Sequence, residues 1–234
     1  MRFPFRLSAV LFKTKLARLA GASSFPFVFH VTADGDCVAR AKSASAPIVW
    51  LEGSDLLHAE IGRAANSLVE LNRHVFLHTD GYNLRQRIHA FRPDSRLFLT
   101  VEFAGREEAH NRITGRLGAF RRSLEGIRAA KLSGFLVAAH ITVTSETDAC
   151  DVGELIEFLD KMDVDGFIVS SGGLSPADTS AQLAENLSDV RNMIRSGRWE
   201  DFSRLLEASY ASRVPACTPG KISAAGENAF EEAD

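Results

Sequence analysis

The sequence predicts an α/β fold built on a parallel sheet. Two observations predict it. Short runs rich in branched and aromatic residues alternate along the chain with segments whose apolar residues recur every three or four positions. Strands joined through helices in this way lie parallel and connect by right-handed crossovers. At 234 residues, 45% of them hydrophobic, the chain can bury one substantial core, and a single α/β domain commonly has this length.

The first element is a helix. Phe5, Leu7, Leu11, Phe12, Leu16 and Leu19 interleave with Arg2, Arg6, Lys13, Lys15 and Arg18, all ahead of the first acidic residue, Asp34. This pattern predicts a basic amphipathic helix over 1–24, seated on the body of the domain. Its cations and apolar face also suit peripheral contact with an anionic membrane surface. The apolar run from Leu7 to Phe12 is too short for a secretory signal and is followed at once by Lys13 and Lys15.

Strands are expected at 25–31, 47–51, 75–78, 97–103, 135–143 and 166–170, where branched and aromatic residues concentrate. Helices are expected through three sets: Leu57, Ile61, Ala64, Leu68 and Leu71; Ile113, Leu117, Phe120, Leu124 and Ile127; and Val152, Leu155, Ile156, Leu159 and Met162. Asp151 stands ready to cap the last of these. Only 38–46 separate the first two strands, fewer than the dozen or so residues of an ordinary parallel crossover. The first crossover helix therefore reads as deleted, and either the N-terminal helix fills its place or the first strand leaves the sheet. Helical patterns over 177–194 and 199–210 read as a cover. The boundaries are thus 1–24 for the N-terminal helix, 25–175 for the strand–helix body, 176–217 for the helical cover and 218–234 for a flexible acidic tail.

A net charge of -3 without an aromatic-rich basic stripe predicts no nucleic-acid partner. Cys37, Cys150 and Cys217 are too few and too scattered for a disulfide framework or a zinc knuckle, which fits a reducing, cytoplasmic setting.

Several segments carry a resemblance. Phe25-Pro26-Phe27-Val28 followed by Cys37, Leu56-Leu57-His58-Ala59-Glu60-Ile61, Phe76-Leu77-His78-Thr79-Asp80-Gly81, Glu108-Ala109-His110-Asn111-Arg112, Gly118-Ala119-Phe120, Leu124-Glu125-Gly126-Ile127-Arg128-Ala129-Ala130-Lys131 and Cys217-Thr218-Pro219-Gly220 follow one another in order. Together they resemble the radical S-adenosylmethionine (SAM) superfamily, most closely the hopanoid-biosynthesis proteins of the adenosylhopene synthase type. The resemblance implies that the strands curl into a partial (β/α)6 TIM-like barrel.

The departures are as informative. Where the family places three cluster-binding thiolates this chain has Cys37, Ala41 and Ala44, and one thiolate does not hold a [4Fe–4S] cluster. Its Gly-Gly-Glu-Pro loop becomes Glu52-Gly53-Ser54-Asp55, its fourth-strand His-Leu-Asp-Gly becomes Glu102-Phe103-Ala104-Gly105, and a fifth-strand asparagine becomes His140. No [4Fe–4S] cluster is expected, nor reductive cleavage of SAM. The leading expectation is a radical SAM-like pseudoenzyme, a non-catalytic partner or regulatory scaffold for an active radical SAM homologue or a lipid-pathway enzyme.

A repurposed enzyme is the alternative. Barrel ligands sit at the carboxyl ends of strands, where His30, Glu52, His78, Asp80, Glu102 and His140 fall. His30, Glu52 and His78 are candidate ligands for a divalent metal, and Glu102 with His140 a candidate acid–base pair. Each residue taken singly has a plain structural reading, that of an inward polar group bonded to a neighbour. Alternate strand residues face opposite ways, so His78 and Thr79 cannot both point inward. A second alternative is SAM binding without radical chemistry, with Gly53, Gly172 and Gly173 lining the site. Ser170-Ser171-Gly172-Gly173 also has the composition of a phosphate-cradling turn, without a basic residue to complete it.

Overall fold

The computed structural model describes residues 3–21, 26–53, 56, 60–172, 180–194 and 196–211. Six strands, β1 (Val28–Thr32), β2 (Ile48–Glu52), β3 (His74–Thr79), β4 (Leu97–Phe103), β5 (Leu136–Val143) and β6 (Gly166–Ser171), form one sheet in chain order with every neighbour parallel. The strands are buried nearly throughout, as sheets covered on both faces require, which is why they read as continuous apolar runs. Helices α1 (Phe5–Leu19), α2 (Cys37–Ser43), α3 (Glu60–Glu70), α4 (Leu84–Arg87), α5 (Glu107–Thr114), α6 (Ala119–Leu132), α7 (Ala149–Lys161), α8 (Ala181–Met193) and α9 (Gly197–Ala211) complete the described fold.

The sheet is curled into a half-barrel, and α9 fills its concave side. Phe202 meets Phe27 just before β1 and Phe76 of β3, while Trp199 meets Phe98 of β4. The same helix closes the free edge of β6. Ser203 Oγ accepts the Val169 N–H at 3.1 Å, Glu207 Oε1 accepts the Ser171 N–H at 3.4 Å, and Trp199 Nε1 donates to the Asp165 carbonyl at 3.1 Å. Unpaired edge amides are a template for aggregation, and here a helix pairs them. In turn α1 lies against α9, with Leu7, Leu11 and Thr14 buried, Phe3 packed on Trp199 and Lys15 paired with Asp201.

Three expectations need correction. The first crossover keeps a two-turn helix, α2, because Cys37 N–H donates to Asp34 O and starts the helix immediately after a tight turn; β1 stays in the sheet beside β2. The apolar run from Ile113 to Ile127 is two helices. Gly115 and Gly118 take φ of 66° and 78°, which break the helix between α5 and α6 and leave Leu117 97% exposed. The cap of α7 is Asp148, whose carboxylate accepts from the Cys150 and Asp151 amides, whereas Asp151 accepts from the Arg106 amide that opens α5. Glu107 and Glu108 form the first turn of α5 and complement its dipole.

A methyl group at Gly166 would overlap the Trp199 indole. Gly166→Ala therefore pushes α9 out of the barrel, and overpacking of this kind costs about 1–3 kcal/mol. Urea unfolding should show a lowered midpoint for the variant; an unchanged midpoint would show that α9 does not hold this position.

Candidate functional site

Period-two alternation and the strand register place one polar layer at the carboxyl end of the half-barrel. Glu52 stands beside His78, Glu102 beside His140, and Thr142 beside Ser170. One layer deeper the same faces carry Trp50 and Phe76. Because the sheet is concave, side chains from non-adjacent strands meet: the rings of His78 on β3 and His140 on β5 are 5.0 Å apart across β4.

The layer is hydrogen-bonded end to end. His78 Nδ1 is 3.0 Å from Glu52 Oε2, His140 Nδ1 is 3.0 Å from His78 Nε2, and His140 Nε2 is 2.7 Å from Ser170 Oγ. A carboxylate only accepts, so His78 carries its hydrogen on Nδ1. With His78 neutral, its Nε2 accepts from His140 Nδ1–H, and His140 Nε2 accepts from the Ser170 hydroxyl. A proton arriving on His78 reverses the order: His78 then donates to His140, and His140 to Ser170. Glu102 Oε2 lies 3.6 Å from His78 Nε2 and is held by Thr142, whose hydroxyl donates to Oε1 at 2.8 Å. Trp50 backs both imidazoles, tilted on His78 at 5.2 Å and edge-on to His140 at 5.5 Å.

Burial grades across this chain of contacts. The Glu52 and Glu102 side chains are 36% and 38% exposed, while His78 is 14% exposed and His140 is buried. Burial pushes the His140 imidazole well below the usual histidine range, and the neighbouring His78 adds to the effect. His140 is thus a neutral base in an apolar setting.

Glu52, His78, Glu102 and His140, all expected at the mouth from the sequence, come together there. His30 does not. It pairs in register with Trp50, a layer below Glu52, and its Nε2 lies 2.8 Å from Ser209 Oγ of α9. The expected metal set of His30, Glu52 and His78 is therefore split, and among the described residues no three His, Cys, Asp or Glu side chains form a metal-ligand group. Gly53 and Gly172 are packing glycines. A methyl at Gly53 would strike Ile61, one at Gly172 would strike Thr142 and Thr144, and their amides donate to His78 O and Val143 O. Gly173 and Cys217 lie outside the described residues. Asp80 pairs with Arg116 at 3.2 Å, beside a cavity of about 190 Å³ lined also by Tyr82, His110 and Thr114.

Ser170 is the site residue that sequence reasoning missed. Its place at the end of β6, in phase with Ile168, marks it as inward, but its partner His140 is thirty positions away and adjacent only through the β5–β6 register. Cys37 heads α2 with Ala41 one turn on, both buried against the core; burial and the Asp34 carboxylate push its thiol up. Positions 37, 41 and 44 offer one sulfur and two methyl groups.

No family model and no curated protein matches the chain. Solved structures do. Streptococcus suis SuiB bound to S-adenosylmethionine is similar over 77% of this chain and 48% of its own, at 14% identity and a TM-score of 0.55. SuiB alone matches 77% of this chain and 50% of its own length, with 14% identity and a TM-score of 0.56, and SuiB bound to the precursor peptide SuiA gives 13% identity and the same score. The chain spans about half the length of these structures. The likeness shows a radical SAM-like fold, a partial barrel of six parallel strands.

Three buried histidines contribute to a loss of stability in acid. Burial holds His74 down at about 4, and lowers His110 and His140. In the unfolded chain such groups titrate near 6.5, so between 6.5 and the folded values the unfolded state binds more protons. Stability is full above 6.5 and falls as the pH drops below it, by about 1.4 kcal/mol per pH unit for each such group. His74→Phe should flatten the fall between pH 6.5 and 4 by about one such increment in urea titrations; an unchanged slope would locate the acid limit elsewhere.

Proposed function

We propose that this chain is a radical SAM-like protein that holds no [4Fe–4S] cluster and performs no reductive SAM cleavage. In this reading it serves as a partner or regulatory scaffold descended from the hopanoid type. The observation that carries the reading is α2. Where a cluster-binding loop must present several thiolates, a helix turns Cys37 and Ala41 into the core, and the one thiol there is held protonated. These residues do not fit the cluster. The outer layer, by contrast, offers surface for a partner: α1 buries Leu7 and Leu11 but exposes Phe5, Phe12, Leu16 and Leu19 among its cations. A SuiB structure holds a precursor peptide, which supports a peptide or protein as the kind of partner. The partner proposed here is an active radical SAM homologue or pathway enzyme, with peripheral membrane contact through α1 as its rival. Among the described residues no helix is long and apolar enough to cross a membrane.

A second reading is favoured by the contacts at the mouth. Glu52, His78 and His140 form an acid–base relay that needs neither SAM nor a metal, with Glu102 as a second carboxylate at its open end. A divalent metal remains the lesser form of this reading, because the ring nitrogens of His78 and His140 are already engaged with each other.

Two measurements test these readings. Anaerobic reconstitution with iron and sulfide should leave the protein without a stoichiometric cluster spectrum and without 5′-deoxyadenosine formation; obtaining both would overturn the first reading. Nitrogen-15 NMR of the histidine rings should show His140 neutral as the pH is lowered through the ordinary histidine range, near 6.5, with a hydrogen-bonded Nδ1–H. A His140 that titrates like a free imidazole would remove the relay.

A further inference from the structure

We propose that Ser170 is the nucleophile of an acyl-transfer site in the barrel mouth, with His140 as its general base and His78 and Glu52 orienting that base. The inference rests on the acid–base reading and adds to it a reactive atom, a reaction class and a class of substrate.

The geometry carries it. Ser170 Oγ is 2.7 Å from His140 Nε2, and the other ring nitrogen of His140 is fixed at 3.0 Å by His78, itself fixed at 3.0 Å by Glu52. A hydroxyl on a base, with the base aimed by a third group, is the arrangement that activates serine on unrelated folds. The four residues come from β2, β3, β5 and β6, rigid elements whose carboxyl ends form the face on which barrel chemistry is placed. Tilted and edge-on contacts with Trp50 restrict the orientation of both imidazoles. The end of the relay reaches water through the partly exposed Glu52 and Glu102 side chains.

The chemistry balances without a cofactor. Ser170 Oγ bonds to a carbonyl carbon while its proton passes to His140 Nε2, and the positive charge on His140 is shared through Nδ1–H with His78 and its Glu52 carboxylate. Collapse of the tetrahedral adduct breaks the bond to the leaving alcohol or thiol, which takes the proton from His140 Nε2. Water then adds to the acyl group with His140 again as base, the Ser170 ester bond breaks, and Oγ recovers its hydrogen. One ester or thioester and one water become one acid and one alcohol or thiol. Two carboxylates beside the relay repel anions, and Trp50 lies beneath the imidazoles, so the substrate is a neutral or cationic acyl compound.

Diisopropyl fluorophosphate tests the proposal, since it phosphorylates a base-activated serine with loss of fluoride. Intact mass and peptide mapping should show one adduct, on Ser170, absent in Ser170→Ala. Labelling should be about 100-fold slower in His140→Asn, the usual worth of a general base. Glu52→Gln, a change at a partly exposed side chain, should slow it several-fold with the thermal midpoint unchanged, so the test survives if the His140 variant fails to fold. Hydrolysis of p-nitrophenyl acetate should show a burst that Ser170→Ala removes. A folded wild type that gives no adduct on Ser170, or labelling at equal rates in wild type and the Glu52 and His140 variants, overturns the nucleophile. If the nitrogen-15 pattern of the relay persists in that case, the acid–base reading stands without it; if the pattern is missing as well, both fall.

Discussion

An open parallel half-barrel has a concave face and a free strand edge, and both must be closed. In this chain α9 does both. Its Trp199 and Phe202 enter the concavity and reach aromatic residues on or beside β1, β3 and β4, while Ser203 and Glu207 take up the outward amides of β6. The indole occupies the space that Gly166 leaves by having no side chain. Aromatic side chains fill the interior beside α9, and a polar layer of Glu52, His78, His140 and Ser170 lies at the carboxyl ends of the strands. Buried polar atoms there must find partners, and Glu52, His78, His140 and Ser170 find one another.

Curvature turns alternation into a site. On a flat sheet β3 and β5 would stand two strand spacings apart, about 9.6 Å, too far for a direct hydrogen bond between imidazoles. The bend brings the rings of His78 and His140 into contact over the backbone of β4, and Trp50 fixes the angle between them. The result is a neutral, desolvated base joined through a second imidazole to a carboxylate at the water boundary. The same architecture turns Cys37 and Ala41 inward on α2, where they serve packing.

Much of this was legible in the sequence. The six strands were marked by their branched and aromatic runs, and Glu102 and His140 by their positions at strand ends; all six strands pair in chain order. The errors have physical causes. His30 shares the composition signature of a strand-end ligand, but register places it one layer lower, where α9 supplies Ser209. Leu117 continues the helical spacing of its neighbours, but Gly115 and Gly118 impose left-handed backbone that interrupts the helix. The connection between β1 and β2 reads as too short for a helix only when it is counted from Cys37; β1 ends at Thr32 and β2 begins at Ile48, so 33–47 holds a tight turn and two helical turns. Ser170 carried no signal of its own, because a serine in a Ser-Ser-Gly-Gly stretch reads as a turn.

By itself the sequence determined the class of fold, the strand segments and their parallel direction, because periodicity and crossover handedness are local properties of the chain. The tertiary structure alone decided which side chains touch. Contact between β3 and β5 depends on how far the sheet bends, a quantity that is not written in any one segment. The relay from Glu52 to Ser170 spans 118 positions of chain and four strands, and it exists only in the folded, curved sheet.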